Sequence, residues 1–78
     1  MSKDRLRQRI GAVIRRLRHD AGLSQEKLAE YAGLHRTYVG AVERGEKNVT
    51  VRTLRKITDA LSVTLSDFFV LVENAADE

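Results

Sequence analysis

Apolar residues recur along this chain at steps of three and four, and no stretch alternates with period two between turn residues. Leu6, Ile10, Val13, Ile14, Leu17 and Ala21 share one helical face, which predicts a first helix over about Lys3–Ala21. Gly22 can end it in a left-handed conformation, and Leu23 resumes apolar contact. Ser24 is a good N-cap for a second helix over about Gln25–Tyr31, with Glu26 favourable at its positive start and Leu28 and Ala29 inward. Gly33 supplies a tight turn, and Leu34 fills the space before a third helix over about Arg36–Glu43. Val39 and Val42 point inward there, and Gly45 lies just past the end. After the polar loop Glu46–Val49, Thr50 caps a fourth helix whose buried stripe is Val51, Leu54, Ile57 and Leu61. Val63 closes the connection. Thr64, with Asp67 three residues on, resembles a capping box for a fifth helix over about Leu65–Val72, and Asn74–Glu78 is expected to fray. The predicted fold class is all-α, a compact five-helix bundle forming a single domain over 1–78.

A chain of 78 residues suits one small domain with a limited core. It contains no cysteine, which excludes a disulfide framework and a thiolate metal site. No apolar run approaches the roughly 20 residues of a membrane span. The start MSKDRLRQR has the charges of a signal n-region, but Arg15, Arg16 and Arg18 break the apolar stretch that follows. A cytoplasmic protein is therefore expected. The net charge of +3 hides an asymmetry. Residues 1–50 hold 11 Lys/Arg against 6 Asp/Glu, and residues 51–78 hold 3 against 5. The basic part suits a polyanion, with a merely solvated surface as the alternative, and the acidic end should face away.

Ser24–Gly45, SQEKLAEYAGLHRTYVGAVERG, joins two short helices through a glycine turn. That is the layout of a helix-turn-helix whose second helix enters the DNA major groove. The segments S-Q-E-x-L-A, A-G-L, R-T-Y-V and V-E-R-G strongly resemble the phage-repressor (Cro/cI, XRE) family, the lambda-repressor-like DNA-binding domains. The resemblance covers about Ile10–Phe69, with Gln25, Leu28, Ala29, Gly33, Val39, Val42, Glu43 and Gly45 at family spacing. Within that family, RTYVGAVERGEKNVTVRTL is most similar to the controller proteins of restriction–modification systems.

The resemblance implies roles for single residues. Ser24 and Gln25 at the start of the second helix are implied phosphate contacts, the alternative for Gln25 being plain solvation. Arg36 and Thr37 open the recognition helix. An arginine can donate twice to guanine and a threonine methyl can touch thymine, the alternative for Arg36 being a phosphate contact. Gly40 and Ala41, one turn on, are placed on the same base-reading face, where relatives often set polar readers. Their small size leaves direct readout concentrated in Arg36 and Thr37 with DNA deformability supplying part of the specificity, or else merely allows close approach to the duplex. Tyr38 is either core or a phosphate contact through its hydroxyl. Arg44, Lys47 and Asn48 are expected along the DNA backbone, or else in an ordinary solvated loop. Arg18 and Glu43 are implied as a partly buried ion pair tying the first helix to the third. His35 caps poorly, and His19 is expected to face solvent.

Leu65, Phe68, Phe69, Leu71 and Val72 are too many apolar residues for one face of a two-turn helix, so part of this helix is expected to form a homodimer interface. A two-fold dimer would place two recognition helices about 34 Å apart, one turn of DNA. The expected function is a sequence-specific transcriptional regulator on a palindromic operator of double-stranded DNA. The alternative is the antitoxin of a toxin–antitoxin pair, although no long tail follows the fifth helix. No catalytic cluster, metal ligand set or cofactor loop is evident, so neither an enzyme, a cofactor nor a small-molecule ligand is expected.

Overall fold

Four of the five helices open on a hydroxyl side chain. The computed structural model describes residues 2–75, and its elements are α1 (Lys3–Asp20), α2 (Gln25–Ala32), α3 (Arg36–Glu43), α4 (Val51–Ala60) and α5 (Leu65–Asn74). Ser2, Ser24, Thr50 and Thr64 each accept a hydrogen bond from the backbone N–H three residues on, at 3.0 to 3.2 Å. Each bond satisfies one of the donors that a helix start leaves orphaned. His35 precedes α3 without a side-chain cap, as its chemistry predicts. Among the described residues there is no strand, and no helix is long and apolar enough to cross a membrane.

The core gathers one residue or more from every helix: Ile14, Leu28, Val39, Ile57 and Phe68 are all fully buried. α3 packs between α1 and α2, α2 also meets α4, and α5 closes the bundle against α1 and α4. The α1–α3 crossing is close enough to require glycine. A Cβ on Gly11 would collide with the carbonyl oxygens of Val42 and Glu43 and stand 2.8 Å from the Glu43 carbonyl carbon. Backbone cannot step aside as a side chain can, so Gly11 sets how tightly the third helix docks.

The helical stripes hold in their middles and fail at their ends. Leu6 is 40% exposed and Ala21 is exposed, because both ends of α1 run past the core. Val51, expected in the buried stripe of α4, is 68% exposed in the first turn. Thr58 is buried instead, with its hydroxyl donating to the Arg55 carbonyl at 3.2 Å, which removes the cost of hiding it. α4 ends with Ser62 in the left-handed region at φ 60°, while Val63 N–H reaches back to Thr58 O at 3.0 Å. This is a Schellman turn without the usual glycine. α5 runs two residues further than the periodicity suggested. Asn74, where fraying was expected, is its last residue, and residues 76–78 lie outside those described.

Candidate nucleic-acid interface

Between Ser24 and Gly45 the chain makes two eight-residue helices joined by Gly33, which takes φ 71°. The left-handed turn is what lets α3 cross α2 after only three connecting residues. Leu34 fills the angle between them, and its N–H returns to Ala29 O at 2.8 Å. α3 then buries Val39 and Val42 and leaves Arg36 and Thr37 exposed in its first turn.

A buried network fixes α3 to α1 and α2. Arg18 grips Glu43 with two bonds, Nε to Oε2 at 2.7 Å and Nη2 to Oε1 at 3.0 Å. Its Nη1 donates to Leu23 O at 2.9 Å. Arg18 and Glu43 are 7% and 9% exposed, and the pair is bidentate with the third guanidinium nitrogen bonded to a carbonyl, an arrangement that offsets desolvation. Glu43 Oε1 also accepts from Gln25 Nε2 at 3.0 Å. One carboxylate therefore connects the end of α1, the start of α2 and the end of α3. Gln25 is thus not a plain solvated residue, because its amide is held half-buried at the N-terminus of α2.

The outer face carries the remaining candidates. Arg36 Nη1 lies 3.7 Å from Glu26 Oε2, with both side chains largely exposed. Arg44, just past α3, forks onto Glu46 with bonds of 2.8 and 3.3 Å. Those bonds raise the Arg44 pKa and hold the Glu46 carboxyl below its usual range. Lys47, Asn48 and Ser24 are exposed. Tyr38 is half-buried and packs against the core. An open hollow of about 600 Å³ beside the turn is lined by Glu26, Glu30, His35 and Arg36 among others. Its two carboxylates disfavour a phosphate there.

Four residues need correction. Ala41 is 7% exposed and offers almost no surface to a base edge. Gly40 is buried as well, and the position of its missing Cβ is 3.2 Å from Arg44 Nη1 and 3.5 Å from Gln25 Oε1. It lies beneath two side chains instead of facing a groove. In α5, Phe68 and Val72 are 0% and 1% exposed, so they belong to the core of the protomer and not to a dimer face. Phe68 also stacks edge-on against Phe69, with ring centroids 5.5 Å apart. What remains outward on α5 is Val70 at 55% and Leu71 at 36%, flanked by the half-buried Leu65 and Phe69. Val70, outside the apolar set read from the sequence, is the most exposed apolar side chain of α5. In the sequence Glu26 reads only as a favourable first-turn acid, and its approach to Arg36, like that of Glu46 to Arg44, has no sequence signature of its own.

A sequence profile of the helix-turn-helix family matches residues 14–68. The control protein C.SmaI of Serratia marcescens is 45% identical over 60 residues, covering 77% of this chain and 71% of that one. The control protein C.MunI of Mycoplasma sp is 39% identical over 66 residues, covering 83% and 89%. Among solved structures, the restriction–modification controller protein C.Esp1396I, crystallised as a tetramer with its natural 35 base-pair operator, superposes with a TM-score of 0.82 at 34% identity. That match covers 87% of this chain and 90% of the other.

Proposed function

This chain belongs to the helix-turn-helix family, and we propose that it is a homodimeric, sequence-specific transcriptional regulator of the restriction–modification controller type. It acts by binding double-stranded DNA in the cytoplasm, without catalysis. The observation that carries the reading is the first turn of α3. Arg36 and Thr37 are exposed there on a helix whose orientation is fixed by the buried Arg18–Glu43 pair.

Arg36 reads a guanine edge by a bidentate pair that discriminates by about 1–3 kcal/mol, and Thr37 touches a thymine methyl by apolar contact. Gln25 and Ser24 at the start of α2, with Tyr38, Arg44, Lys47 and Asn48, hold backbone phosphates and set the register. The outward apolar strip of α5, Leu71 and Val70 with Leu65 and Phe69, pairs with its copy across a two-fold axis. Two recognition helices then face successive major grooves of a palindromic operator, about 34 Å apart.

Titrating the protein into a duplex from upstream of its own coding sequence, and into a scrambled duplex, at two salt concentrations tests this. Selective binding at two protomers per site, weakening as salt rises, is the expected result. Equal weak binding to both duplexes contradicts it.

A further inference from the structure

Gly40 stands inside a helix with no positive φ to demand it, at a cost in helix propensity. Its Cβ position is flanked by Arg44 Nη1 at 3.2 Å, Gln25 Oε1 at 3.5 Å and Gln25 Nε2 at 3.8 Å. Two polar side chains from different elements thus close over one glycine. Gln25 is held from behind by Glu43, which accepts one of its amide hydrogens. Arg44 turns its Nη1 corner towards Gly40, while its Nε–Nη2 edge is taken by Glu46.

We propose that Gln25 and Arg44 form a single seat for one DNA phosphate, floored by Gly40, and that Glu46 is its built-in competitor. The inference rests on the reading of this face as DNA-binding. A carboxylate and a phosphate present the same pair of oxygens to a guanidinium fork. Glu46 therefore occupies the bidentate Nε–Nη2 edge of Arg44 and leaves a phosphate only the Nη1 corner over Gly40 until the pair opens and the guanidinium turns. The pair is exchangeable, because Arg44 and Glu46 are 59% and 55% exposed and surface pairs are weak. An approaching duplex also repels the carboxylate while attracting the guanidinium. Since the contact is with phosphate, Glu46 lowers affinity for every sequence alike and leaves base choice to Arg36 and Thr37.

The test is a double-mutant cycle on E46Q, R44A and the R44A/E46Q pair, read by anisotropy on a mixed-sequence duplex and on the upstream duplex. Thermal melts confirm that these exposed substitutions leave the fold intact. E46Q is expected to tighten binding about two- to fivefold on both duplexes, the range a surface ion pair commands. R44A is expected to weaken binding and reduce the salt slope by about one. In the R44A background, E46Q should tighten binding clearly less than it does in wild type, because only the repulsion of DNA by the carboxylate is then relieved. Equal tightening by E46Q with and without Arg44 would show simple repulsion of DNA and overturn the latch, as would no tightening at all. Wild-type protein that binds both duplexes equally defeats the regulator reading, while the cycle still decides the phosphate seat. Binding to neither duplex defeats both.

Discussion

Glu43→Ala should be the most damaging polar substitution in this chain, for reasons that can be counted. The carboxylate accepts from Arg18 Nε at 2.7 Å, Arg18 Nη2 at 3.0 Å and Gln25 Nε2 at 3.0 Å. Removing it leaves a buried guanidinium with the Leu23 carbonyl as its remaining partner in this network. Breaking one side of a buried pair costs about 3–5 kcal/mol. A domain of this length holds roughly 4–12 kcal/mol in all. The loss is therefore about a quarter or more of the total, and the melting midpoint should fall by at least about 12 °C, at about 4–8 °C per kcal/mol. Circular dichroism melts and urea titrations measure it. An R18M/E43L double variant should recover most of the stability, since apolar groups of similar volume can replace a buried pair without loss. It should still bind DNA more weakly than wild type, because Gln25 has lost its anchor. A Glu43→Ala unfolding free energy within about 1 kcal/mol of wild type would refute the claim that this carboxylate carries the α1–α2–α3 junction, whose loss is put at about 3–5 kcal/mol.

Other substitutions test separate parts of the account. Gly11→Ala drives a methyl into the backbone of α3 and should cost about 1–3 kcal/mol or more; a melt like wild type contradicts the close crossing. Ser62→Gly relieves a left-handed serine worth about 1–2 kcal/mol of strain and, after the entropy of the added glycine, should raise stability by about 0.5–1 kcal/mol; a lower urea midpoint contradicts it. Gly40→Ala should raise the stability of α3 by up to about 1 kcal/mol, yet weaken DNA binding because the methyl crowds Arg44 Nη1. Stability and affinity rising together would show that the space above Gly40 is not used.

The middles of the helices were legible in the sequence because apolar spacing reports burial wherever a helix lies on the core. α3 came out at Arg36–Glu43, as its valines and flanking glycines predict. The ends were less legible. Val51 obeys the stripe of α4 but sits a turn before that helix reaches its neighbours, and Thr58 is buried because its hydroxyl can turn back onto the chain. Gly40 and Ala41 show a different limit. Their small size was readable, but a blank position facing a groove and a small residue under its neighbours look alike in sequence. Only the positions of Gln25 and Arg44 separate them. Phe68 and Val72 could not be told from Leu71 until the orientation of α5 against α1 and α4 was known.

The central claim is that the exposed first turn of α3 reads bases. Enrichment of bound sequences from a randomised duplex pool, run in parallel with wild-type protein and Arg36→Ala, tests it most directly. The account predicts that wild type enriches a palindrome containing a fixed guanine in each half-site, and that Arg36→Ala loses selection at that guanine while keeping the rest of the motif. The same guanine enriched by both proteins, or no motif from either, would contradict it.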